Sequence, residues 1–488
     1  KNLTAADVAS FRYAIAHQYH FTMFYDEIPL RGYVGSVDPK TGDVHLFTHL
    51  HFKFSKNRDR VIEAHVIPDE ATKVLLPATS STSGGNDVEV TFGYTAKWVD
   101  TEVTFEDRTA NNEAEHDEGE VEIQWFSIVN SFVLVVLLTV FVVYIVLRTL
   151  NRDYQRYSLL EEEAEVEETG WKRLHADVFR FPKHRALFAS IIGCGTQVML
   201  IFVCMLTLAV IGVFYPHGRG TMIATVIFVY ALTAVIAGYV SGSLYKKMGG
   251  LAWVHNVLLT MTLFVGPFFL VWAFLNTVAI GYGSTAALPF GTIVALFALY
   301  FLVTFPLTLA GALAGKNYSG DFDAPTRTKI APREIPSAPW YRGVLAQLAV
   351  AGFLPFTAIF IELYYVFISL WGHRNFAPFG ILYLVFIILI VVTACITIAL
   401  TYVQLSHENH RWWWMSICSG GATAVFVYIY SLYFLVNESH MSGFMQISFY
   451  MGYMGILCYA VFLMLGSVGF YGSLTFVRLI YRNIKFDQ

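Results

Sequence analysis

The chain reads as a polytopic α-helical membrane protein with nine transmembrane helices, preceded by a lumenal β-sandwich-like domain. Three observations predict this class. Apolar stretches of membrane-spanning length fill the sequence from Ser127 to its end, the composition is 56% hydrophobic against 14% charged, and Lys and Arg crowd into alternate connections. A hydrocarbon core about 30 Å thick takes about 20 helical residues to cross, so runs of this length are spans rather than core helices.

The first 123 residues read as β structure. Val88, Val90, Phe92, Tyr94, Ala96 and Trp98 alternate with polar or small residues, a period of two that places one apolar face inward. Leu46, Leu50, Phe52 and Phe54 do the same on an earlier strand, and turn signals fall at Asp38–Gly42 and Ser80–Gly85. One dry and one wet face predict an antiparallel sandwich. His45, His49 and His51 share a strand face in this reading. Without a nearby Cys or carboxylate, a solvated polar face is expected there rather than a zinc site. Asn2-Leu3-Thr4 is a glycosylation sequon. The chain starts at Lys1 without Met or signal peptide, so an N-terminal portion is expected to be missing.

The predicted spans are Ser127–Leu147, Leu187–Phe214, Thr221–Leu244, Val254–Ile280, Phe290–Ala314, Val344–Trp371, Phe379–Val403, Trp413–Val436 and Ser448–Leu474. They divide the chain into the β domain (1–123), a first transmembrane helix (124–147), a loop (148–186), an eight-helix bundle (187–477) and a tail (478–488). The loop carries Arg148, Arg152, Arg156, Lys172, Arg173, Arg180, Lys183 and Arg185, and every second connection after it is also basic. Lys and Arg mark the cytosolic side, which predicts a lumenal N-terminal domain and a cytosolic C-terminus. All five cysteines lie inside spans, with neither a disulfide framework nor metal-ligand spacing. A net charge of −4 gives no argument for nucleic acid, and no cofactor fingerprint or catalytic constellation is visible.

Within the spans, Glu362 is the only carboxylate at depth, with Pro355 two turns before it. Ionisable residues in a bilayer are expensive, which makes Glu362 a candidate proton or cation site. A transporter usually shows several such residues, so a structural carboxyl is the stronger expectation. Small-residue faces are clearer: Gly238 with Gly242, Gly311 with Gly315, and the series Gly466, Gly469, Gly472 permit close helix packing. The loop also carries the acidic run Glu161–Glu168 and Tyr157-Ser158-Leu159-Leu160, which has the form of an adaptor-read sorting signal centred on Tyr157 and Leu160.

Over essentially its whole length the chain resembles the transmembrane 9 superfamily, the nonaspanins or endomembrane protein 70 family. The resemblance rests on Phe11–Ala14, Asp26–Gly35, the loop stretch Gly170–Arg180, Gly242–Tyr245, Pro289–Thr292, Phe360–Glu362, Arg411-Trp412 and Ser448–Tyr450, in that order. Ala176 replaces a glycine usual in the loop stretch, and Ala234 stands where a proline is common. The resemblance implies a Golgi or endosomal resident that helps sort other membrane proteins and recognises client helices rich in Gly. It also implies a terminal Lys-x-Asp/Glu signal read by coat proteins. Lys485 and Asp487 fit that signal, although Gln488 follows them. The expected partners are therefore the lipid bilayer, client membrane proteins and coats, with no cofactor and no enzymatic activity. The alternative is a secondary transporter or channel built on Glu362.

Overall fold

The computed structural model describes residues 2–17, 19–25, 28–38, 42–69, 72–77, 88–105, 118–162, 170–214, 220–284, 286–329, 331–336, 339–340, 343–371, 379–437, 439, 441 and 443–482. The chain divides into two compact units, Lys1–Gln124 and Trp125–Gln488.

In the first unit, the strands are β1 (Asn2–Leu3), β2 (His20–Tyr25), β3 (Ile28–Tyr33), β4 (Gly35–Val37), β5 (Val44–Leu46), β6 (His49–Asn57), β7 (Arg60–Pro68), β8 (Val74–Leu75), β9 (Val88–Glu89) and β10 (Gly93–Asp100). The unit is β-rich as expected, but among the described residues its strands form four small sheets rather than two large ones. One of them orders β10-β6-β7, with β10 parallel to β6. A helix absent from the sequence reading, α1 (Ala5–Ala16), interrupts the strands. Its start is a capping box: the Asp7 amide donates to Thr4 Oγ1 (3.3 Å) and the Thr4 amide donates to Asp7 Oδ2 (3.0 Å). The predicted early strand breaks at Phe47-Thr48. Leu46 then packs with Leu3, Val8 and Ile15 around α1, while Phe54 packs with Ile28 and Leu30.

The second unit is helical: α2 (Glu118–Glu162), α3 (Arg185–Val210), α4 (Thr221–Lys247), α5 (Trp253–Gly281), α6 (Phe290–Tyr318), α7 (Val344–Trp371), α8 (Phe379–Ser406), α9 (Trp412–Asn437) and α10 (Phe444–Arg482). Nine helices among the described residues are long and apolar enough to cross a membrane, as the sequence predicts. Pro306 explains a local departure in α6. Proline removes a backbone donor and crowds the preceding turn, and the helix widens into a π-turn over Tyr300–Thr304 just before it. Helix α10 runs 39 residues, longer than its predicted span at both ends, and packs against α9, α3, α8 and α5. The most extended helix pair is α4 with α6.

The basic connections gather at one end of this bundle. The Arg180 guanidinium donates to Lys329 O (2.7 Å), Lys246 Nζ to Ser319 O (2.7 Å), and Trp412 Nε1 to Val178 O (2.8 Å). This is the basic end of the bundle, the one the charge pattern singles out.

Candidate functional site

Glu362 sits on the buried face of α7, 6% exposed, and its Oε2 has no hydrogen-bond partner among the described residues. Ile359, one turn earlier, packs with Val385, Phe386 and Leu389 of α8. Leu363, its neighbour, packs with Phe367, Tyr430 and Tyr450. The turns on either side of Glu362 thus pack among apolar and aromatic side chains. Leaving an oxygen unpaired in such surroundings costs free energy.

A polar cluster that the sequence reading passed over lies elsewhere, between α3, α4 and α5. Asn256 Nδ2 donates to Ser241 Oγ (2.9 Å), Ser241 and Thr260 share a hydrogen bond (2.7 Å), Ser190 Oγ donates to Asn256 O (3.2 Å), and Cys194 Sγ donates to Thr260 O (3.2 Å). Gln197 Nε2 reaches Tyr230 O at 3.0 Å. These uncharged groups bond one another and join three helices, the use of polar side chains expected where lipid offers no partner. The signal was present as Ser, Asn and Thr at helical spacing, but single polar residues in a span carry little information without their partners.

The small-residue faces are resolved residue by residue. Gly238 and Gly242 on α4 meet Gly311 and Gly315 on α6, backbone to backbone. A Cβ at Gly238 would meet Thr308 O, one at Gly311 would meet Val235 O, one at Gly315 would meet Tyr239 O, and one at Gly242 would lie 2.6 Å from Ala312 O. On α10, Gly466 and Gly469 face α9, where a Cβ would lie 3.1 Å from Ile417 O and 2.8 Å from Ser416 O respectively. Gly472 turns away from that seam toward α8, where a Cβ would rest 3.6 Å from Ile398 Cγ1 and 3.7 Å from Ala394 Cβ. Three-residue steps drift around a helix of 3.6 residues per turn, so the series does not stay on one side.

Gly472 opens on a groove of about 700 Å³ between α3, α8 and α10. Ile390, Ala394 and Ile398 form one wall, and Thr196 and Met199 of α3 form another. Glu362 is not among the lining residues.

At the basic end, the loop stretch Gly170–Arg180 folds into a buried cap. Trp171, Leu174 and Val178 are fully buried and pack with Trp412, Trp413, Phe470 and Tyr481. Asp153 of α2 accepts from Trp171 Nε1 (3.2 Å) and Tyr402 OH (2.5 Å), while Tyr481 OH donates to Trp171 O (2.6 Å). Glu408 bridges Arg173 (3.5 Å) and Arg333 (3.7 Å). His410 is 7% exposed beside this network. Burial pushes its imidazole below the ordinary range; Asp177 opposes the shift, and Arg411 and Arg180 add to it.

The remaining candidates fall outside a common site. His49 and His51 of β6 both contact Thr95 Oγ1, His45 lies on β5 in another sheet, and no metal-binding group occurs among the described residues. Strand β10 does not bury its apolar face as predicted: Tyr94 is 74% and Trp98 50% exposed at the sheet edge, Tyr94 meeting Phe52 edge to face and Trp98 stacking on Phe54. Asn2 pairs with Glu89 through the β1 backbone. Tyr157 and Leu160 lie in the helical continuation of α2. Glu163–Glu168, Ser80–Gly85, Lys485, Asp487 and Gln488 lie outside the described residues.

These features define a polytopic membrane protein whose helices are joined by glycine seams and whose basic end is closed by a folded cap. The model of the Endomembrane protein 70 family matches residues 1–444, and the chain belongs to that family. It is 50% identical to "Transmembrane 9 superfamily member 4" of Arabidopsis thaliana, over 99% of this chain and 82% of that protein. It is 42% identical to "Transmembrane 9 superfamily member 1" of Bos taurus, over 99% and 82%. It is 46% identical to "Putative phagocytic receptor 1b" of Dictyostelium discoideum, over 99% and 82%. No solved structure matches the chain. The stretch Gly170–Arg180, one of those that carry the resemblance, is the core of the cap.

Proposed function

We propose that this protein assists the sorting and localisation of other membrane proteins in Golgi and endosomal membranes, and that it does so without catalysis. Its N-terminal unit faces the lumen and its basic end and tail face the cytosol, a reading supported by the placement of Lys and Arg. The observation that carries the reading is the glycine seam between α4 and α6, where backbone meets backbone. Helices locked at that distance make a fixed scaffold rather than two halves that rock about a central site. Because the Gly238, Gly242, Gly311 and Gly315 faces are already occupied, client helices meet the bundle on its lipid-facing surface. The tail residues Lys485 and Asp487 supply the coat-binding address, and Tyr157 and Leu160 a second one. The name of the Dictyostelium relative, a putative phagocytic receptor, is in keeping with delivery of proteins to a surface.

The unpartnered Oε2 of Glu362 favours a second reading, a transporter or channel with a proton or cation site. One paired experiment separates the two. Cells lacking the protein are rescued with wild type, Glu362→Gln or the Lys485→Ala/Asp487→Ala double variant, and the surface display of membrane proteins is compared. Sorting predicts that Glu362→Gln rescues and that the double variant leaves the Golgi. A pH-dependent flux in proteoliposomes that Glu362→Gln abolishes, at normal expression, would establish the transporter instead.

A further inference from the structure

We propose that the groove between α3, α8 and α10 holds one acyl chain of an anionic phospholipid from the leaflet at the basic end. The inference stands apart from the sorting reading.

Position is the first argument. Ile390 and Thr196, at the upper end of the groove, lie near the midpoints of α8 (Phe379–Ser406) and α3 (Arg185–Val210). From there the groove follows α10 from Ser467 to Leu479, a helical rise of about 18 Å. One leaflet of a hydrocarbon core about 30 Å thick measures about 15 Å. The groove thus runs from mid-bilayer to the basic surface.

Its chemistry suits a hydrocarbon. The lining hydroxyls are already engaged: Thr196 donates to Ile192 O (2.8 Å), Ser467 to Met464 O (2.7 Å) and Thr475 to Tyr471 O (2.8 Å), and the Tyr471 hydroxyl bonds with Thr196 across the helices. What remains toward the groove is chiefly aliphatic, and a polar ligand would lose hydrogen bonds on entering.

Charge fixes the headgroup. Arg482 is exposed one turn beyond Leu479 and two turns beyond Thr475, on the same face of α10. A cation at the end of a chain-sized groove, at headgroup level, favours an anionic lipid over a zwitterionic one.

The test uses the full chain in nanodiscs of phosphatidylcholine doped with phosphatidylserine bearing an acyl-chain diazirine. Photolabelled peptides are mapped by mass spectrometry. Labels are expected to concentrate on 390–398 and 467–479. Gly472→Leu grows into the groove from a position where a Cβ makes ordinary contact at 3.6 Å, so the helix seams are left alone. It should cut that labelling at least about fivefold, and Ala394→Phe, filling from the opposite wall, should do the same. Arg482→Gln should lower the preference for the serine probe over a choline probe about fivefold, with the chain still labelled in the groove. Labels spread evenly over the lipid-facing sides of α5 and α6 would overturn the proposal. So would labelling unchanged by both filling variants, or a transmembrane peptide that displaces the lipid from folded wild type.

Discussion

Gly311 and Gly472 are both glycines on membrane helices, yet their surroundings are opposite. A methyl group on Gly311 would run into the carbonyl oxygen of Val235 across the α4–α6 seam. On Gly472 it would rest 3.6 Å from Ile398, in ordinary contact at the edge of an open groove. In the first place glycine permits two backbones to touch; in the second it keeps a cavity clear. The motif is the same in both cases, and what differs is whether a partner helix already occupies the face. A small-residue face in a sequence is therefore evidence of packing, while its availability to a client is a property of the fold.

The largest expected effect lies in the seam. Gly311→Leu has only backbone to push against, and overpacking of this kind costs on the order of 3 kcal/mol. Little monodisperse protein should be recovered by size exclusion, whereas Gly472→Leu should elute as wild type. Equal recoveries would erase the distinction between seam and groove.

The cap tests whether the groove is held open from below, because Tyr402 on α8 and Tyr481 on α10 are both tied to it. Asp153→Ala leaves the Trp171 and Tyr402 donors without their acceptor and should cost about 1–3 kcal/mol in thermal unfolding. If the groove is independent of the cap, acyl labelling at Gly472 will not change in this variant.

Much of this was legible in advance, for physical reasons that also mark the limit. A span announces itself because roughly 20 apolar residues in a row have no other economical fate in a cell. Gly238, Gly242, Gly311 and Gly315 were visible as faces, though nothing in their spacing paired α4 with α6. The helix Ala5–Ala16 has no marked apolar stripe, so hydrophobic periodicity does not announce it among strands. Its capping signal, Thr4 with Asp7 three residues later, was nevertheless in plain view. Open β10 could not be read, since alternation reports which residues share a face and not what covers it. The cap could not be read either: Trp171, Trp412, Asp153 and Tyr481 are scattered along the chain and only the fold brings them together.

Smaller effects follow. Glu362→Gln should change unfolding by no more than about 0.5–1 kcal/mol, because Gln preserves shape at a position whose Oε2 makes no hydrogen bond among the described residues. A larger loss would mean that the carboxylate has a partner in the bilayer. The smallest effect is on pH. His410 binds a proton less readily folded than unfolded, so its contribution is complete above the ordinary imidazole value of about 6.5 and fades as pH falls below it. The midpoint of thermal unfolding should fall as pH is lowered from about 7.5 to 5.5, and His410→Gln should remove part of that slope.

The central claim, that identical glycines close one face and keep another open, is tested most directly by one matched pair. Gly311→Ala and Gly472→Ala each add a single methyl group, and both proteins are unfolded thermally in the same nanodiscs. The midpoint should drop clearly for Gly311→Ala and stay unchanged for Gly472→Ala. Equal midpoints, or the reverse order, would contradict the claim.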